Sequence, residues 1–314
     1  MVLPLGAAML MSVGAAVRAS HQRAEQLTMA ELSPLVSTQW LADHLADAQL
    51  RIVDIRSVVD GGARAAYERA HVPGAVHTDY AKDGWRRVQG MASGLLPDAE
   101  ALADLLGRVG ASWTHRVVIV CAGTTAGDFS AAARVYWTFK TAGHRAVAIL
   151  DGGMAAWTRE GRPVETGAGT AAAAAPYPVA HDGACRADCA AVEKAVADGS
   201  AVLLDTRSLA YFEGREKSPQ ALRAGRLPGA LHHDHSRAFD PAAQRLKPLD
   251  ELERLFACVP DKPVMSYCNT GHQAATSWFV LSELLRRPGV ALYDGSMSEW
   301  TEDPARAVET GPTG

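Results

Sequence analysis

Short runs of apolar, largely β-branched residues alternate along this chain with longer stretches whose apolar positions recur at helical spacing. In the later half, Val202–Asp205, Val264–Tyr267 and Val290–Tyr293 read as strands. Leu249–Ala257 and Ala274–Leu285 read as helices; in the second, Trp278, Phe279, Leu281 and Leu285 are spaced to bury one face. Pro248 stands where a helix tolerates proline, in its first turn. In the earlier half Val117–Val120 predicts a strand, with the following helix expected to begin at Ala131. Strands that alternate with helices predict an α/β fold, a central parallel sheet with helices on both faces.

The pattern is written twice. Ile52-Val53-Asp54-Ile55-Arg56 returns as Leu203-Leu204-Asp205-Thr206-Arg207, and His71-Val72-Pro73-Gly74-Ala75 returns as Arg226-Leu227-Pro228-Gly229-Ala230. Asp151-Gly152-Gly153-Met154 with Trp157 answers Asp294-Gly295-Ser296-Met297 with Trp300, and both copies close on Val-Glu-Thr-Gly. The expected organisation is an N-terminal segment over 1–30, one domain over 31–167, a linker over 168–180 and a second domain over 181–314. The linker assignment rests on an alanine run that ends in Pro176-Tyr177-Pro178.

Candidate chemistry concentrates in Val264-Met265-Ser266-Tyr267-Cys268-Asn269-Thr270-Gly271-His272-Gln273, read as strand, loop and helix start. A cysteine at the end of a parallel strand faces the crevice where open α/β sheets place their ligands. Amides of Asn269, Thr270, Gly271, His272 and Gln273, together with the helix dipole, are expected to cradle a thiolate or a persulfide anion. Gly271 gives the loop the freedom to wrap closely. His272 has two open readings: a proton source or partial positive charge near neutral pH, or a residue that packs against the loop.

These motifs, in this order and in two copies, resemble the tandem rhodanese family of thiosulfate and mercaptopyruvate sulfurtransferases, over residues 34 to 311. The resemblance implies two rhodanese-like domains, with Cys268 as nucleophile and Asn269, Thr270, Gly271, His272 and Gln273 as substrate-binding loop. It implies transfer of a sulfane sulfur from a small donor to cyanide, a thiol or a carrier protein, without cofactor or metal. The alternative is a non-enzymatic persulfide carrier or protein-binding module. A phosphatase-like variant of the fold carries a longer loop ending in arginine; no arginine follows here until Arg286, which disfavours phosphoryl chemistry. Tandem members usually keep only the second domain active. In the first copy the stretch from Cys121 to Ala131 is longer than that from Cys268 to Ala274, so a tight cradle is not expected there. Family members that use thiosulfate typically carry basic residues in the loop, which this one lacks, and Tyr211 stands where relatives often place a substrate-binding arginine. Arg207 is expected to brace the fold by pairing with a carboxylate.

The bulk numbers narrow the field. A 314-residue chain with 48% hydrophobic and 21% charged residues suits two soluble globular domains, and a net charge of −4 offers no footprint for nucleic acid. Five cysteines show neither a disulfide framework nor paired zinc motifs; Cys185 and Cys189 are read as bystander thiols or a redox pair. Adjacent residues on a strand point to opposite faces, so His232-His233-Asp234-His235 is read as a strand end and loop, not a metal site. Val2 to Val17 is apolar and resembles a secretory segment, though too short for a confident membrane span; export to the periplasm and a cytoplasmic protein translated from Met29 both remain open.

Overall fold

The computed structural model describes residues 32–169 and 175–312. The expectations for the leading segment therefore lie outside the described residues, as do residues 170–174, which hold most of the alanine run. Two five-stranded sheets form, both parallel throughout. The first runs in the order Leu35–Val36, Val147–Leu150, Arg116–Val120, Leu50–Asp54, Val76–His77. The second runs Arg186–Ala187, Val290–Tyr293, Val264–Tyr267, Val202–Asp205, Leu231–His232. The order is the same in both, so the repeat in sequence is a repeat in topology.

Alternate residues of each strand face opposite layers, which sorts the apolar side chains into three cores. Val117, Ile119, Val147 and Ile149 of the first sheet join Leu204, Val264, Val290 and Leu292 of the second in one shared core. The other faces bury Val118, Val120, Ala148 and Leu150 in one outer core, and Leu203, Tyr267 and Tyr293 in another. Burial on both faces explains why the central strands read as continuous apolar runs.

The shared core is closed by two helices that meet between the domains. Phe279 packs edge-on against Tyr136 and Phe129, at 4.9 and 5.7 Å between ring centroids, and Ser130 Oγ lies 2.8 Å from Thr276 Oγ1. The Ala274–Leu285 expectation is met in two parts: α-helix over Ala274–Trp278, then a π-helical stretch over Phe279–Leu284 in which the Leu285 amide reaches the Val280 carbonyl at 2.8 Å. The first-domain helix departs from expectation. It spans Ala126–Thr141, not from Ala131, because Thr125 and Asp128 form a reciprocal capping box.

Each domain also lends a small hairpin to the other. Arg87–Gln89 and Ala92–Leu95 from the first domain lie against the Asp294 turn, whose carboxylate accepts the Leu96 amide at 2.6 Å. Phe239–Asp240 and Arg245–Leu246 from the second lie by the Asp151 turn, with Arg245 3.4 Å from that carboxylate. From Pro176 the connecting segment is tied to the first domain: the Tyr177 hydroxyl is 2.8 Å from His144 Nδ1, and its ring stacks on Trp113.

Candidate active site

Cys268 follows the strand Val264–Tyr267, as expected, and opens a loop that ends at the helix Ala274–Trp278. Cys268 is only 1% exposed, and the first domain's hairpin and helix reach the loop through Arg134, which donates to the Gly94 and Gly271 carbonyls. Asn269, Thr270, His272 and Gln273 are half-buried and Gly271 is buried. A side chain the sequence reading missed organises the turn. Ser296 Oγ accepts from the Cys268 and Gly271 amides, at 3.1 and 3.0 Å, and donates to the Tyr293 carbonyl at 2.8 Å. The Gly271 amide is thus committed to Ser296, a correction to a cradle of five free amides. No group among the described residues accepts from the amides of Asn269, Thr270, His272 and Gln273. Such unclaimed donors at a helix start favour an anion.

Ser296 holds a left-handed φ of 51°, at the position where the first copy has Gly153 with φ 54°. A serine is uncommon there. Its two amide contacts to the cysteine loop give the reason it is found in the second copy. Two further ties, from the Met297 amide to the Cys268 carbonyl (3.2 Å) and the Ser298 amide to the Asn269 carbonyl (3.0 Å), fix the first half of the loop.

His272 faces the first domain. Its Nδ1 is 2.9 Å from the Tyr80 hydroxyl. Loss of hydration in this dense surround, with Arg86, His235 and Arg134 adding positive charge, holds its pKa down to about 3. Burial pushes the Tyr80 hydroxyl up, so tyrosine donates and a neutral imidazole accepts. Of the two readings of His272, the packing role is the one the geometry supports; it does not supply a positive charge at neutral pH.

Arg207 makes a paired contact with Asp205, at 2.9 and 2.5 Å, and donates to the Gly225 carbonyl at 2.8 Å. This is the bracing role, and Arg56 repeats it with Asp54 and the Ala70 carbonyl. Arg207 also reaches Asn269 Oδ1 at 3.3 Å. The histidines at 232, 233 and 235 go separate ways: to the Arg207 carbonyl, to a stack on Phe256, and to the Thr206 carbonyl.

Residues 37–160 and 188–303 each match the family model of the rhodanese-like domain. The chain belongs to the rhodanese family. This rhodanese is 32% identical over 280 residues to the sulfur carrier protein TtuD of Thermus thermophilus, covering 85% of this chain and 93% of the relative. It is 32% identical over 289 residues to a thiosulfate sulfurtransferase of Corynebacterium glutamicum, covering 88% and 90%. Among solved structures, SseA of Escherichia coli, described as a 3-mercaptopyruvate sulfurtransferase, superposes with a TM-score of 0.71 at 27% identity, covering 84% of this chain and 98% of that one. As a rhodanese with these relatives, the chain is a sulfurtransferase. Among the described residues no helix is long and apolar enough to cross a membrane.

The two rhodanese domains differ at the crucial place, though not by loop length. With its helix starting at Ala126, the first loop is slightly shorter than the second, which overturns the expectation of a longer one. What differs is its occupant. The Asp128 carboxylate accepts the Thr124 amide at 2.8 Å, the Thr124 hydroxyl at 2.9 Å and the Thr125 amide at 3.2 Å. The first domain fills its own anion position with a carboxylate. Burial, then the charge of Asp128, pushes the Cys121 thiol well up. Cys121 is a free thiol buried as a small core residue. Cys185 and Cys189 are free thiols, not a disulfide.

Proposed function

We propose that Cys268 carries the sulfur as a persulfide, taken from a small donor such as thiosulfate or 3-mercaptopyruvate and passed to cyanide, a thiol or a sulfur-carrier protein. The observation that carries this reading is the contrast between the two loops: Asp128 occupies the first, while four amides beside Cys268 have no partner among the described residues. In the first half-reaction the thiolate attacks the donor's outer sulfur, a sulfur–sulfur bond forms to Cys268, and the donor's remainder leaves with the electron pair of the broken bond. In the second, the acceptor attacks the terminal sulfur and the thiolate is regenerated. Asn269, Thr270, His272 and Gln273 present amides to the anionic groups, and Gly271 and Ser296 set the loop's curvature. The half over 181–314 is catalytic and the half over 31–167 is not, with 168–180 connecting them.

A second reading, a carrier that hands persulfide sulfur to a protein without rapid turnover of small donors, is favoured by the likeness to a protein named as a sulfur carrier. Thiocyanate production from thiosulfate or mercaptopyruvate and cyanide separates the two. Cys268→Ser is expected to abolish transfer and leave the fold intact. Full activity in that variant removes Cys268 from the reaction.

A further inference from the structure

We propose that Arg134, a residue of the first domain, supplies the positive charge that holds the Cys268 sulfur anionic, both as thiolate and as persulfide. The proposal rests on Cys268 being the sulfur carrier. It answers a gap in the catalytic loop, which has no Lys or Arg among Cys268 to Gln273 and whose only ionisable neighbour in sequence, His272, is held neutral.

Arg134 lies on the helix Ala126–Thr141 and is 0% exposed. Nη2 donates to the Gly94 carbonyl at 2.6 Å and Nη1 to the Gly271 carbonyl at 3.3 Å, so the guanidinium spans the domain interface onto the loop itself. Its plane lies over Trp137 at 4.4 Å. Nε is buried and has no partner among the described residues. No carboxylate among the described residues pairs directly with this guanidinium. A cation buried without a counter-ion costs folding free energy, so a fixed site of this kind calls for an anion nearby. The contact of Arg134 with the Gly271 carbonyl sets it on the same loop as the Cys268 sulfur, and the opposite charges that act on it are the Asp294 carboxylate first, then the Tyr80 hydroxyl and the Cys268 sulfur in their ionised forms. Gly271 is what permits the approach: a Cβ there would lie 2.5 Å from Arg134 Nη1.

The other charges that face the site are already answered. Arg207 is paired with Asp205, and Asp294, behind the loop, is paired with Arg186 at 3.0 Å. Tyr80 is neutral and bonded to His272, and Arg86 stacks on the Tyr80 ring at the half-exposed edge of the cleft. His235 reaches the Thr206 carbonyl. Arg134 remains as the fixed, desolvated charge without a direct ion pair among the described residues; the Asp294 carboxylate acts on it without contact, while paired with Arg186. Arg134 touches the loop carbonyl and not the reacting sulfur, and is therefore a positioning residue.

The test is the pH profile of Cys268 alkylation by iodoacetamide in the full chain, followed by peptide mass, for wild type, Arg134→Gln and Arg134→Lys. Arg134→Gln is expected to move the midpoint up by about one pH unit or more, a roughly tenfold loss of thiolate at neutral pH, and to lower persulfide yield from thiosulfate accordingly. Arg134→Lys keeps the charge and is expected to stay within about half a unit of wild type. A purely structural role would lower the thermal midpoints of both variants and leave the pH midpoints in place. A folded Arg134→Gln with an unmoved midpoint overturns the proposal. If that variant does not fold, an Arg134→Lys midpoint raised by a full unit overturns it instead. Failure of wild type to gain sulfur at Cys268 strikes the persulfide reading itself and is seen separately, before any variant is compared.

Discussion

Gly94 sits in the first domain's hairpin, about 175 residues before the cysteine loop in sequence, yet its replacement by alanine is predicted to disable the site. Nothing in its backbone demands glycine, since its φ is not left-handed. The constraint is space: a Cβ there would lie 1.9 Å from the Thr270 carbonyl oxygen and 2.6 Å from the carbonyl carbon. Ordinary contact needs about 3.4 Å, so hairpin and loop must separate by about 1.5 Å. Both neighbours are backbone, with no flexible side chain to swing away. Misplacing reacting groups by about 1 Å can cost about 100-fold in rate, or about 2.7 kcal/mol in the transition state. Overpacking costs about 1–3 kcal/mol in stability. Gly94→Ala should therefore lower kcat/KM for thiocyanate formation by about 100-fold while the protein still unfolds cooperatively. Gly183→Ala is the matched control, because a Cβ there meets nothing within 4 Å. A Gly94→Ala enzyme within about twofold of wild type would refute the claim that the first domain shapes the Cys268 loop.

Ser296→Ala strips the Cys268 and Gly271 amides of their acceptor and should cost about 2 kcal/mol or more, read as a lower thermal midpoint together with slower transfer; unchanged values of both contradict the assigned role. Cys121→Ala should leave turnover within about twofold of wild type, and native-state alkylation should mark Cys268 before Cys121, whose thiol burial and Asp128 push upward. Acid should destabilise the fold through histidines buried neutral. His272 is held to about 3, and His144 and His233 to about 4, each by burial first. Because these folded values lie below the unfolded one of about 6.5, the unfolded chain takes up protons first. Stability is then full above about pH 6.5 and is lost as pH falls toward 4, by at most about 1.4 kcal/mol per unit per histidine. Asp60 and Asp128, raised by burial, oppose this only nearer the carboxylate range. Urea midpoints at pH 7 and pH 5 check the sign, and a higher midpoint at pH 5 would contradict it.

The fold was legible because its evidence is local and doubled. Val202–Asp205, Val264–Tyr267 and Val290–Tyr293 are strands as read, since apolar β-branched runs leave few alternatives once a repeat fixes their order. The helix after Cys121 begins five residues before the expected Ala131. The signal for the true start was there, Thr125 with Asp128 three positions on, a capping box. Ser296 was within reach of the sequence as well: the repeat sets it opposite Gly153, and a serine where the other copy needs left-handed backbone marks a side chain with a task. Tyr80, Gly94 and Arg134 were out of reach. Their meaning lies in contacts between domains, and no periodicity within either copy announces which first-domain residue will lie on the Cys268 loop. The one hint was a guanidinium inside the apolar run Ala131 to Val135.

The central claim, that sulfur rests covalently on Cys268, is tested most directly by the intact mass of the full chain after exposure to thiosulfate or 3-mercaptopyruvate without an acceptor. A gain of about 32 Da, mapped to the peptide containing Cys268 and lost on adding cyanide or a reductant, is the predicted result. A mass that stays unchanged with both donors, or a sulfur mapped to Cys121, Cys185, Cys189 or Cys258 instead, would contradict it.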